Sequence, residues 1–284
     1  MKVNEAATQS TILARSGDRL VSALRCMLAG MNASSDSSSS QTKPHAIAWI
    51  AGVGPSAGLG AAIARRFARE GFLSVITGRN VERLHATAHE IESAGGRALA
   101  LPGDVSEERE IARLGAGLSE LGTLRAAIFN AGNAVRGTPL QISPQDFEAT
   151  WRSSAYAGFL FGREATRLLL PHGVGSLLFT GATASLRGRG PFTAFAAAKA
   201  GLRSLAQSFA REYGPQGIHV AHIIVDGGID GERLRGLAPQ RVADAGADGL
   251  LNPDAIADTY WHLHQQHRSA WTHEVDLRPF KEPF

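Results

Sequence analysis

The chain of 284 residues has a single cysteine, Cys26, so it can build neither a disulfide framework nor a zinc site of several thiolates. It has no strong charge of either sign: 29 Lys+Arg stand against 26 Asp+Glu, a formal net charge of +3. The arginines are spread out, and no basic run reads as a nucleic-acid patch. Nor does any stretch approach the ~20 apolar residues that a membrane span needs. With 44% hydrophobic residues, the chain can still bury a core that needs no staples. A soluble, cytoplasmic protein is expected, with neither a nucleic-acid nor a membrane partner.

Residues 1–43 differ from the rest. Ser34, Ser35 and Ser37 to Ser40 crowd a segment too polar to bury itself. Before it, Ile12, Leu13, Leu20, Val21, Leu24 and Leu28 fall at roughly helical spacing, with Arg15, Arg19 and Arg25 between them. That pattern fits a targeting peptide, against which stand Glu5, Asp18 and the lack of a small-residue cleavage site. It equally fits a disordered or weakly helical extension, or an upstream start with Met31 as the first residue. The domain proper is expected over 44–284.

From Pro44 onward, apolar runs alternate with amphipathic stretches. Strands are predicted at 46–51, 73–77, 98–101, 124–129, 177–180 and 218–225. Helices are predicted at 58–70, 81–94, 107–121, 144–170 and 194–213. This alternation predicts βαβ units: an α/β, doubly wound Rossmann fold with one parallel sheet of about seven strands and helices on both faces.

The segment Gly54-Pro55-Ser56-Ala57-Gly58-Leu59-Gly60 follows the first strand and opens the first helix. Glycines there let the backbone turn tightly and approach a pyrophosphate, which the free N–H groups of the helix start can bind. At the end of the second strand, NAD-binding folds place an acid for the ribose 2′-hydroxyl. Here the chain reads Thr77-Gly78-Arg79-Asn80. Arg79 is either a solvated loop residue or the partner of a 2′-phosphate. The second reading favours NADP over NAD.

Gly54-x-x-x-Gly58-x-Gly60, Asp104-Val105 and Asn130-Ala131-Gly132 together resemble the short-chain dehydrogenase/reductase family, over about residues 45–277. The resemblance implies that Asp104 and Val105 border an adenine. It implies that Asn130, Ala131 and Gly132 line the cofactor and steady the sheet, and that Gly227 to Ile229 face the nicotinamide end. Asp226 replaces the proline usual in that last loop. A small-molecule substrate and a homodimer or homotetramer are implied in the same way.

The family's catalytic tyrosine, in Tyr-x-x-x-Lys, corresponds to Phe195, and the lysine to Lys199. Its serine, thirteen residues earlier, corresponds to Ala182. Its asparagine, three before the glycine matching Gly158, corresponds to Ala155. Only Lys199 is retained, and this resembles a subgroup with Phe-x-x-x-Lys. Carbonyl reduction needs a positioned proton donor, whose loss costs a factor of about 10² to 10⁴. The expectation is thus an NADP(H)-binding oxidoreductase with a degenerate tetrad, or alternatively an inactive NADP(H)-binding sensor or scaffold. Substitute donors to examine are Tyr156, Thr180, Thr183, Ser185 and Thr193. Lys199 is expected to bind the nicotinamide ribose.

No metal site is expected. His262, His264 and His267 fall in a candidate helix, where only His264 and His267 share a face. His219 and His222 lie on opposite faces of their strand and read as packing or sheet-edge residues.

Overall fold

Short apolar runs between polar turns become strands because a parallel sheet buries both of its faces. The computed structural model describes residues 45–282, so the expectations for 1–43 fall outside the described residues. Its strands are β1 (His45–Ala51), β2 (Leu73–Thr77), β3 (Arg97–Ala100), β4 (Gly122–Phe129), β5 (Gly175–Thr180), β6 (Ile218–Val225) and β7 (Glu274–Leu277). They form one parallel sheet in the order β3-β2-β1-β4-β5-β6-β7. Ile47 through Ala51 of β1 are fully buried, as a central parallel strand requires.

Helices cover both faces. On one lie α1 (Leu59–Arg69), α2 (Val81–Ser93) and α9 (Pro253–Gln265), through residues such as Ile63, Phe67, Leu84, Ile91 and Tyr260. On the other lie α3 (Glu108–Leu121), α5 (Ala157–Leu169) and α6 (Thr193–Tyr213), through Leu114, Leu118, Phe161, Leu202 and Phe209. Among the described residues no helix is long and apolar enough to cross a membrane.

The strand order reverses between β1 and β4, and in open α/β sheets ligands bind outside the carboxyl ends of the strands at such a point. The Gly54–Gly60 loop and the Asn130–Gly132 segment both leave the sheet there.

Four elements differ from expectation. The helix predicted over 144–170 is broken into α4 (Pro144–Trp151), a π-turn (Arg152–Tyr156) and α5. Such a turn inserts one residue and rotates the helix beyond it, and hydrophobic periodicity does not announce it. Strand β7 was not anticipated, because Glu-Val-Asp-Leu is a half-buried edge strand without an apolar run. The short helices α7 (Glu232–Leu237) and α8 (Pro239–Ala245), after β6, were also missed; neither contains a buried residue.

Candidate active site

The glycine loop is shaped by close approach. Gly58 is the N-cap of α1 and offers no side-chain cap, and the first turn contains no acid. The first amides of α1 therefore keep their hydrogen-bonding capacity toward an anion. A β-carbon on Gly60 would lie 2.9 Å from the Gly52 carbonyl oxygen and 3.1 Å from Asn130 Nδ2. Only glycine lets α1 sit this close to the strand ends. Asn130 ties them together: its backbone N–H donates to Ala51 O at 2.9 Å, and its side chain to Gly52 O at 3.1 Å.

Arg79 is exposed, directly before Asn80, which caps α2 by accepting from the Arg83 amide. Ser56 is engaged otherwise: its hydroxyl donates to Glu90, and its carbonyl accepts from Arg65 at 2.8 Å. Asp104 accepts from the Ser106 amide at 2.9 Å and the Ser106 hydroxyl at 2.7 Å, so it also turns the chain into α3. Val105 is buried beside it. Gly227 passes so near Pro279 that a β-carbon would come within 2.8 Å, and Ile229 bridges to Leu251.

Lys199 lies one helical turn beyond Phe195 on α6 and is 5% exposed. Its Nζ donates to the Thr180 carbonyl at 2.9 Å and stands 5.8 Å from the Phe195 ring centroid. Burial pushes its pKa down to about 8, so the ammonium form still dominates at neutral pH. Ala182 is half-buried at the end of β5. The hydroxyls around it are occupied. Thr180 bonds the buried Tyr260 hydroxyl at 2.7 Å, Thr183 donates to Asp226, and Ser185 accepts from the Ala182 amide at 3.1 Å. The Tyr156 ring stacks on Trp151 and lies under the Arg152 guanidinium. Thr193 is exposed at the start of α6.

Three groups of this region have contacts that the sequence reading did not assign. Ala155 is buried and packs on α6, where a β-carbon on Gly201 would lie 3.3 Å from its own. The polar neighbour of the lysine from that turn is instead Ser154. A β-carbon on Gly132 would lie 2.8 Å from Ser154 Oγ and 3.4 Å from Lys199 Nζ, so glycine leaves the two groups a shared gap. Ser154 Oγ is fully buried with no hydrogen-bond partner. The second group is His222, whose Nδ1–H donates to Glu274 at 2.9 Å. Arg203 grips the same carboxylate with two bonds of 2.6 and 2.7 Å. Third, Asp226 is buried and joins three segments, through Thr183, the Leu277 carbonyl at 2.8 Å and Arg278 at 3.0 Å. No local signal marks any of these, because the partners lie far apart in sequence.

The histidines divide differently from expectation. His264 is in α9 and bonds Ser176. His267 lies beyond the helix end and accepts from the Ser269 amide, so the two share no helical face. His219 stacks on Trp271 with ring centroids 4.9 Å apart.

A doubly wound sheet with a glycine loop at its switch point defines a dinucleotide-binding architecture. The short chain dehydrogenase signature matches residues 48–242, and the chain belongs to that family. It is 32% identical over 171 residues to the short-chain dehydrogenase/reductase eriH of Hericium erinaceus, covering 58% of this chain and 68% of that protein. It is 33% identical over 181 residues to a 12alpha-hydroxysteroid dehydrogenase of a Clostridium species, covering 61% and 70%. Among solved structures, a short-chain dehydrogenase from Rhodopseudomonas palustris superposes with TM-score 0.71 at 42% identity, over 83% of this chain and 99% of that one. A metagenomic short-chain oxidoreductase in complex with NADP superposes with TM-score 0.69 at 28% identity, over 82% and 96%.

Proposed function

We propose that the chain is an NADP(H)-binding oxidoreductase acting on a small molecule without a tyrosine proton donor. The observation that carries this reading is the pairing of a glycine-cradled, uncapped α1 N-terminus with a retained, buried Lys199 beside Phe195. The cradle suits a dinucleotide because α1 begins close against the strand ends, which a β-carbon on Gly60 would prevent, and its first turn has neither a side-chain cap nor an acid.

In this reading Gly54, Ser56 (by its main-chain amide, its hydroxyl being given to Glu90), Gly58, Leu59 and Gly60 hold the pyrophosphate, and Asp104 and Val105 flank the adenine. Arg79 takes the 2′-phosphate. Asn130, Ala131, Gly132, Gly227 and Ile229 bound the nicotinamide end. Lys199 donates to the ribose with the two N–H groups that its bond to Thr180 leaves over. The bound nicotinamide supplies or accepts a hydride. Phe195 forms an apolar wall that can neither give nor take a proton. The proton must therefore come from solvent or from the substrate itself, which suits activated alkenes or imines better than plain ketones.

The occupied hydroxyls of Thr180, Thr183 and Ser185 favour a second reading, a non-catalytic NADP(H) sensor or scaffold. A panel of ketones, enones and imines separates the two. NADPH oxidation with any of them supports the enzyme, and binding without turnover supports the sensor.

Fluorescence titration tests the cofactor assignments. NADPH should bind more tightly than NADH, and Arg79→Ala should abolish the difference while sparing NADH. Lys199→Ala should weaken NADPH by about 1.5–3 kcal/mol, the range for hydrogen bonds to a charged group. Equal affinities in the wild type would reject the 2′-phosphate role, and unchanged affinity in the lysine variant would reject the ribose role.

Phe147, Trp151 and Phe159 expose aromatic surface along α4 and α5. Their succession along this helical stretch supports a homodimer or homotetramer, and sedimentation of a monomer would exclude it.

A further inference from the structure

We propose that the cleft is built for an anionic substrate, with an apolar body against Phe192 and Phe195 and a carboxylate or phosphate held by Arg136, Arg187 and Arg189. The inference deepens the oxidoreductase reading above and rests on it for the position of the reacting centre.

Charge is unevenly distributed around the cleft. The segment after β4 (130–143) contains Arg136 and the segment after β5 (181–192) contains Arg187 and Arg189. Neither contains an acid. All three arginines are exposed, and none has a carboxylate partner among the described residues. Many arginines elsewhere are matched, among them Arg66 with Asp258, Arg163 with Glu108, and Arg203 with Glu274. The acids near the cleft are also taken. Asp226 faces Arg278, Asp230 faces Arg235, and Glu232 faces Arg83. Arg233 on α7 adds a further cation, held among the described residues by the neutral side chain of Asn133 at 3.1 Å. Among the described residues, the mouth therefore keeps a positive surplus that no carboxylate neutralises.

The two loops are also stitched together, Gly137 N–H donating to Pro191 O at 2.9 Å and Gly137 pairing with Phe192. Arg136 lies over the Phe192 ring at 5.1 Å. Phe192 meets Phe195 edge to face at 6.5 Å, and Phe195 is 5.8 Å from Lys199 Nζ. A continuous ladder thus runs from an unpaired guanidinium at the rim, over two aromatic rings, to the buried lysine. These loops follow β4 and β5, whereas the glycine loop and Arg79 follow β1 and β2 on the other side of the switch point. The rim arginines are therefore separate from the groups assigned to the cofactor's own phosphates.

A guanidinium stacked on a ring is held in orientation, and its planar fork matches the paired oxygens of a carboxylate or phosphate. Cations lining a cleft also raise the local concentration of an anion. The two aromatic rings between rim and floor select a substrate with an apolar portion long enough to span them.

The test uses ligand-observed NMR and titration on the full chain, with and without NADP+. The probes are cinnamate, its neutral analogue cinnamamide, and phenyl phosphate. Cinnamate or phenyl phosphate should bind at least about tenfold more tightly than cinnamamide, and added salt should weaken that preference. Arg136→Gln should remove most of the preference, and Arg187→Gln with Arg189→Gln the remainder. Arg69→Gln, on the exposed end of α1, should leave it unchanged. The stronger of the two anions identifies the group that the rim accepts. Equal binding of amide and acid, or an unaltered preference in the arginine variants, overturns the proposal. NADPH is titrated separately on each variant. A wild type that binds the anion but not NADPH refutes the cofactor reading alone, and one that binds NADPH without anion preference refutes only this inference.

Discussion

Phe195→Tyr combined with Ala182→Ser is expected to raise NADPH-dependent ketone reduction about a hundredfold or more above the wild type. The size reflects the missing group, because a positioned general acid contributes a factor of about 10² to 10⁴. The rest of the arrangement is in place. Lys199 is already buried and held by Thr180 O, 5.8 Å from the ring that would acquire the hydroxyl. Its pKa of about 8 keeps it cationic at neutral pH, and a cation beside a phenol lowers the phenol's pKa toward the working range. Ala182 is half-buried at the carboxyl end of β5, where a serine hydroxyl can meet a substrate oxygen. Ala182→Ser alone adds no acid in the useful range, so it should give no gain. Adding Lys199→Ala to the double variant should cancel the gain. Initial rates of NADPH loss with a ketone panel measure all four proteins. A double variant that binds NADPH as the wild type does, yet shows no rise with any ketone, would contradict the assignment of Phe195 as the vacated donor position.

The lysine and phenylalanine were legible through the resemblance to the family's Tyr-x-x-x-Lys pattern, whose four-residue spacing is local and sets the two on one helix face. The glycine loop was legible for the same reason, since Gly54, Gly58 and Gly60 sit at a strand end that opens a helix. Periodicity likewise sufficed for the strands whose two faces are both buried. It failed for β7, whose side chains alternate at a half-buried edge. It failed again at the π-turn, where one inserted residue brings Ser154 rather than residue 155 beside Lys199. The pairs Asp226–Arg278 and His222–Glu274 span about fifty residues, and neither member implies the other until the sheet is assembled. His222, read as a packing or sheet-edge residue, is fully buried, and its contact there is polar: it bonds the carboxylate of Glu274, its neighbour across β6 and β7.

That buried histidine, together with His264, leads to a steep acid sensitivity of the fold. Burial pushes each of their pKa values from 6.5 down to about 4. For His222 the hydrogen bond to Glu274 opposes the change, while the charges of Lys199 and Arg203 add to it. For His264, packed against Phe67, Phe72 and Trp261, the neighbouring His219 adds to it. Both are neutral in the folded chain at pH 6, where an unfolded chain has already begun to protonate them. Between pH 6.5 and about 4 the unfolded state thus holds up to two more protons, and stability falls as pH falls. Each histidine removes up to about 3 kcal/mol by the bottom of that window, since a tenfold change in proton affinity is worth about 1.4 kcal/mol. The two together rival the net stability of an ordinary domain, about 5–15 kcal/mol. Glu274 deepens the loss below its ordinary value near 4.5. The Arg203 hydrogen bonds hold its folded pKa down, so its contribution, complete above that value, disappears as the carboxylate is protonated. Urea midpoints at pH 7.5, 6.0 and 5.0 should decline progressively, and His222→Gln should flatten the decline by about one proton. The wild-type series alone decides the point should that variant not fold, because midpoints that stay level from pH 7.5 to 5.0 would mean that the two imidazoles take up protons in the folded chain.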